Sequence, residues 1–178
     1  MTLIDDVQQH LGTTEIQQIS QQLGVDEKTA QSAVQSALPM MVAGMAGTAQ
    51  QPAGEQQIQS LFGAHGGTLG NLGSVISGAM SGGGGGILGT ILGGQHKRVE
   101  DGLGQATGLQ PDQSKRLLMI LAPIVLAVLA RRHGAASSAP GSVGGALQQD
   151  AQAAQHSSPP HIGGILGKIL SHVQTPAA

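Results

Sequence analysis

The sequence has no cysteine, no tryptophan and no tyrosine, and a single phenylalanine, Phe62. Without cysteine there are no disulfides, no thiolate metal sites and no cysteine nucleophile. With almost no aromatic side chains, Ala, Leu, Ile, Val and Met must build the core, and helices must approach one another closely. Charged residues make up only 10 % of the chain, well under the usual quarter or so. The net charge of −2 provides no general basic field to draw in nucleic acid. The first residues, MTLIDDVQQH, are acidic and lack an apolar core of the signal-peptide kind, so a cytoplasmic location is expected.

The few charges are unevenly spread. Residues 1–90 carry the acids Asp5, Asp6, Glu15, Asp26, Glu27 and Glu55 against one base, Lys28, whereas residues 91–178 are richer in bases than in acids. This asymmetry favours self-association or contact with a weakly acidic surface.

The most apolar stretch is Leu117 to Ala130, LLMILAPIVLAVLA, bracketed by Lys115-Arg116 and Arg131-Arg132. Its length gives a helix of about 21 Å at about 1.5 Å rise per residue. A hydrocarbon core of about 30 Å asks for about 20 apolar residues. The stretch is therefore read as the central helix of a protein core, with Pro123 as a kink.

Helical patterning runs through the chain before it. Leu3, Val7 and Leu11 share one face of a first helix that Thr2 can cap and Gly12 can stop. Thr13 or Thr14 is expected to cap a second helix with Ile16, Ile19 and Leu23 inward. Gly24 ends it in a left-handed turn. Asp26 then caps a longer helix through Ala30, Val34 and Leu38, with Pro39 as its bend or end. The block IQQISQQLGVDEKTAQSAVQSAL has the pattern of a helix-turn-helix corner. As a DNA-reading element it is poor, because its exposed positions offer only Lys28, Gln31 and Gln35 beside Glu27. One lysine supplies little phosphate affinity.

Further on, Glu55 starts a short helix with Ile58, Leu61 and Phe62 inward, and His65 falls in a Gly-rich turn. Leu69 to Met80 reads as a helix weakened by glycine. Residues 81–86, SGGGGG, read as a flexible hinge. No strand precedes these glycines and no Lys-Ser/Thr pair follows, which excludes a phosphate-binding loop. Gln95 to Thr107 is amphipathic, with Val99, Leu103 and Ala106 inward. Gly108 ends it, and Pro111 and Asp112 open and cap the central helix.

Two internal echoes stand out. Shifting the chain by 84 residues places Gly24 on Gly108, Val25 on Leu109, Val34 on Leu118, Pro39 on Pro123, Ala43 on Ala127 and Ala46 on Ala130. The pattern of helix, glycine, aliphatic residue, capped helix and proline occurs twice. Separately, GGILGTIL at 85–92 recurs as GGILGKIL at 163–170. Between them, residues 134–161 are rich in Ala, Ser, Gly, Gln and Pro, and read as a disordered linker within the span 133–161. In the tail, Ile162, Ile165, Leu166, Ile169 and Leu170 make one face of a short amphipathic helix. It is too short to be stable alone in water, so it needs a surface: its own domain, a second copy, another protein or a membrane face.

No constellation for catalysis emerges. His10, His65, His96, His133, His156, His161 and His172 are scattered, without HExxH or a tight metal pair. Glu100 and Asp101 are adjacent, so a helix points them to different sides. No serine lies in a nucleophile elbow. Neither a metal nor a cofactor is implied, and an enzyme is not expected.

The N-terminal helix MTLIDDVQQHLG, the block LGVDEKTAQSAVQSALPMMVAGMA, the Gly-rich middle with ILGTILGG and the second corner from Gly108 through Pro123 resemble the YidB-like family of uncharacterised bacterial proteins. The resemblance covers roughly residues 1–132. It implies a mostly helical fold with a homeodomain-like portion, and brings no activity and no functional residues.

The expected architecture is all-α. Two helix-turn-helix-like corners surround the central apolar helix in a domain spanning 1–132, made of halves 1–80 and 87–132 joined by the hinge 81–86. A linker, 133–161, and a tail helix, 162–178, follow. The expected function is that of a non-enzymatic interaction or scaffold protein that self-associates, with the tail face as its docking element. DNA binding through Lys28, Gln31 and Gln35 is one alternative; peripheral membrane attachment is the other.

Overall fold

The computed structural model describes residues 3–51, 53–65, 72–78, 81, 84–135, 142–157 and 164. Their regular structure is helical, with no strand among them. In order come α1 (Leu3–His10), α2 (Thr13–Leu23), α3 (Glu27–Ala49), α4 (Gly54–His65), α5 (Leu72–Gly78), α6 (Gly84–Leu92), a 3-10 turn at Gly93–Gln95, α7 (His96–Thr107), α8 (Pro111–Ala135) and α9 (Ser142–Ser157).

Glycine supplies the two corners, each with a different hydrogen-bond pattern. Gly24, at φ +68°, ends α2; its N–H donates to Gln21 O, and the N–H of Val25 donates back to Ser20 O. That double closure is the Schellman motif. Gly108, at φ +73°, ends α7 with one bond from its N–H to Gly104 O, the simpler left-handed cap. Three residues after each glycine the next helix begins, at Glu27 and at Pro111. Asp26 caps α3 as expected: its carboxylate accepts from the Thr29 N–H at 2.9 Å and from the Thr29 hydroxyl at 2.6 Å. At the second corner Asp112 sits inside the first turn of α8, and the side chain of Gln113 does the capping. Gln113 Oε1 accepts from the Gln110 N–H at 3.0 Å. Its Nε2 donates to Leu23 O, the last carbonyl of α2, and so ties the two corners together.

Neither proline ends its helix. Pro39 lies inside α3 and Pro123 inside α8. Each deprives the carbonyl four residues earlier of its donor, at a cost of about 3 kcal/mol in an isolated helix. Burial offsets it. Every residue from Ser36 to Ala49 is buried, and from Leu117 to Leu129 only Met119 is not. The apolar 117–130 stretch is therefore a core helix, but it shares the centre with α3. Pro111–Arg132 is long and apolar enough to cross a membrane, yet 72 % of its apolar window is buried against the rest of the chain.

The halves cross over one another. α7 packs chiefly on α3, and α1 and α4 chiefly on α8; α2 and α6 each touch both long helices, α2 leaning to α3 and α6 to α8, and α9 covers α3. One continuous core, from Leu3 to Ala151, results. Small residues let the helices close. A Cβ at Gly44 of α3 would come within 2.6 Å of Leu92 Cδ2 on α6, and one at Gly104 of α7 within 3.7 Å of Ser114 Oγ on α8. Close approach has a cost at Ser114, whose fully buried hydroxyl has no hydrogen-bond partner.

Three further expectations differ from the structure. Thr13 and Thr14 lie in the first turn of α2; the cap position is Gly12, which makes no side-chain bond. Gly84, Gly85 and Gly86 belong to α6, because the apolar face that follows anchors that turn against α8. Within the span 133–161, read as a disordered linker, residues Ser142–Ser157 form α9. Leu147 and Ala151 of α9 are fully buried, Gly144 comes within van der Waals reach of Ala49, and Asp150 pairs with Arg132 at 3.2 Å. Its composition lacks bulk because it lies on the small-residue face of α3, where backbone proximity replaces side-chain volume. Thr2 and the side chain of Phe62 lie outside the described residues, and His65 is the last residue of α4.

If α9 belongs to the core, Leu147→Ala lowers unfolding stability by about 2–5 kcal/mol, the usual cost of emptying a buried leucine site. Urea titration measures it. A change within about 0.5 kcal/mol, typical of an exposed position, would return α9 to the status of a tether.

Candidate interaction surface

With the large aliphatic side chains turned inward, polar groups dominate the described exterior. Lys28, Gln31 and Gln35 are exposed and, at i, i+3 and i+7, line one face of the first two turns of α3. Exposed Asp26 and Glu27 stand at the start of the same helix. Hydrogen bonds from Thr29, chiefly from its hydroxyl and then from its N–H, hold the Asp26 carboxyl below its ordinary value of 3.8.

A second feature is a groove between α2 and α5. Gln18, Gln21 and Gln22 line one wall, and Ser74 and Ser77 the other, around a space of about 570 Å³. It holds amides and hydroxyls and no ionisable group. Such a lining forms hydrogen bonds but has no acid, base or nucleophile of raised reactivity.

The third feature is a charge node where α1, α8 and α9 meet. Arg132 lies 3.4 Å from Asp6 and 3.2 Å from Asp150, with side chains that are only partly exposed. The node joins the first helix of the chain to α9 through the end of the central helix. Partial exposure keeps each ion pair modest, commonly under about 1 kcal/mol, so its main effect is to fix the register of α9.

Elsewhere the ionisable groups are dispersed. His96 Nδ1 contacts Gly93 O at 2.8 Å across the 3-10 turn, a local structural bond. Arg98 donates to Gln95 Oε1 at 3.3 Å. Among the described residues no three His, Asp or Glu side chains converge as a metal site would require. The proposed tail face, Ile162, Ile165, Leu166, Ile169 and Leu170, lies outside the described residues, as do His161 and His172.

Residues 5–132 match the family model described as bacterial protein of unknown function (DUF937). The chain belongs to this family. The match runs from α1 to the charge node at Arg132, which agrees with the YidB-like resemblance of the sequence. Nothing among curated proteins matches, and nothing among solved structures. The DUF937 span therefore leaves out α9, although α9 covers α3 and shares its core. The signal that could have revealed α9 is the pair Leu147 and Ala151 at i, i+4 after Gly144. It is a faint stripe that composition alone hides.

The lowered Asp26 pKa carries a pH prediction. The folded form favours the carboxylate, so its contribution to stability is complete above the ordinary carboxyl pKa and is lost as the pH falls through the lowered folded value. Comparing unfolding of the wild type and Asp26→Asn from pH 7 down to pH 2 should show a difference that shrinks in the acid range. A constant difference would show that the carboxylate charge is not what caps α3.

Proposed function

We propose that the chain is a non-enzymatic interaction or scaffold protein that associates with itself, or with another protein, through apolar small-residue helix faces and a C-terminal docking segment. A cytoplasmic setting is part of this reading. The observation that carries it is where the aliphatic side chains fall. The described helices bury theirs against one another, while Ile162, Ile165, Leu166, Ile169 and Leu170 lie past α9, in a segment too short to keep a helix by itself. Five aliphatic residues at helical spacing gain stability only by covering a surface. The dispersal of ionisable groups supports a role without acid–base chemistry.

Removal of residues 162–178 is expected to leave helicity and thermal unfolding nearly unchanged while lowering the solution mass, or the amount of co-purified partner. Circular dichroism and light scattering across a concentration series read both. Equal mass and equal partners with and without the tail would refute the assignment.

The exposed stripe Lys28, Gln31 and Gln35 on the second helix of a tight corner favours a second reading, a helix-turn-helix contact with DNA. Gln reads adenine edges, and Lys28 is the one phosphate partner in the stripe. Gel shifts over a salt series decide it. Binding that weakens steeply with salt and is lost in Lys28→Glu supports DNA contact; absence of binding at low salt removes it.

A further inference from the structure

α6 is seated by four side chains. Ile87, Leu88, Ile91 and Leu92 are 9 %, 3 %, 0 % and 0 % exposed, in a cleft bounded by α3, α4 and α8. The cleft is shaped for them: Leu92 lies over Gly44, where a side chain would collide with it, and the Met119 methyl reaches to 4.0 Å of where a Cβ would stand on Gly85. The rest of α6 adds little side chain to the cleft. Gly85, Gly86 and Gly89 are exposed, and the Thr90 hydroxyl donates to its own backbone at Gly86 O.

Residues 163–170 repeat residues 85–92 at every position except one. Ile165, Leu166, Ile169 and Leu170 stand where α6 has Ile87, Leu88, Ile91 and Leu92. The single change, Lys168 for Thr90, falls at a half-buried position outside the four seated side chains, where a long lysine can carry its ammonium out to water. Ahead of the repeat, Ile162 replaces Gly84, which removes one glycine that weakens a helix by about 1 kcal/mol. Every side chain that reads the cleft is therefore present twice in the chain, and the second set is attached to the better helix former.

We infer that the α6 cleft is a binding site for the segment Gly163–Leu170, and that its occupant in the associated protein is the tail of a second copy. This rests on the self-association proposed above and gives it a location. Entry of the tail displaces α6, so one set of four aliphatic residues replaces another and apolar burial hardly changes. Segment exchange of this kind is a low-cost route to association, and concentration drives it. Gly84, where the tail has Ile162, makes α6 the weaker helix former of the two.

The absence of cysteine makes the test direct. Full-length Met119→Cys and full-length Gly163→Cys are mixed at concentrations where the wild type associates, then treated with a short bismaleimide. A chain carrying both Gly85→Cys and Met119→Cys should link internally, and with circular dichroism this establishes that the substitutions leave the cleft intact. The expected result is a covalent dimer in the mixture. Adding Ile169→Asp to the Gly163→Cys chain should abolish it, and Ile169→Asp alone should weaken association of the otherwise native protein by at least about tenfold, the value of burying one such side chain. Association in light scattering without a Met119–Gly163 link would overturn the cleft assignment and leave self-association standing. A link formed within single chains that carry both cysteines, with none between chains, would overturn the second copy as occupant. A wild type that stays monomeric at every concentration would overturn both.

Discussion

Close approach between helix backbones does in this protein what bulky side chains do in most cores. With one aromatic residue in the chain, inter-helix space cannot be filled by large rings, so it has to be removed. Gly44 under Leu92, Gly104 beside Ser114 and Gly144 beside Ala49 are the places where it is removed. Dispersion falls away quickly with distance, and cores built from small residues are stable only at such contact. The rest of the architecture follows from it: two long helices buried on nearly all sides, and shorter helices laid tightly around them.

That constraint explains how α3 and α8 tolerate a buried proline each. A helix broken at Pro39 or Pro123 would part the surfaces that Ala43, Ala46, Ala127 and their neighbours bring together. Continuity of the helix preserves more packing than the lost hydrogen bond removes. It also explains the crossing of the halves. Ser36 to Ala49 of α3 and, Met119 apart, Leu117 to Leu129 of α8 are buried all round, so partners from one half alone do not cover them. Partners from the other half complete the cover, and α9 serves α3 as α4 serves α8. The DUF937 span ends at residue 132, but the face of α3 under Leu147 and Ala151 is one that α9 covers in this chain.

The polar exterior is correspondingly plain. Asp26 serves as a cap, Arg132, Asp6 and Asp150 form one node, and the amide groove between α2 and α5 carries no charge. The described surface thus offers hydrogen-bonding groups and scattered charges, while the large aliphatic side chains of the described helices are spent on the core.

Local features were legible in the residues themselves. Gly24 and Gly108 marked both corners, Asp26 marked its cap, the 84-residue offset marked the recurrence, and the run from Leu117 marked a core helix. These depend on the backbone preferences of a few residues and on spacing along one helix, so the chain carries them without knowledge of its neighbours. Tertiary structure alone decided that α3 is as central as α8, that Gly84–Gly86 join a helix, and that 142–157 packs instead of linking. The physical reason is the same in each case. A small residue has almost no hydrophobic signal of its own, and its contribution to stability exists only when another backbone lies against it.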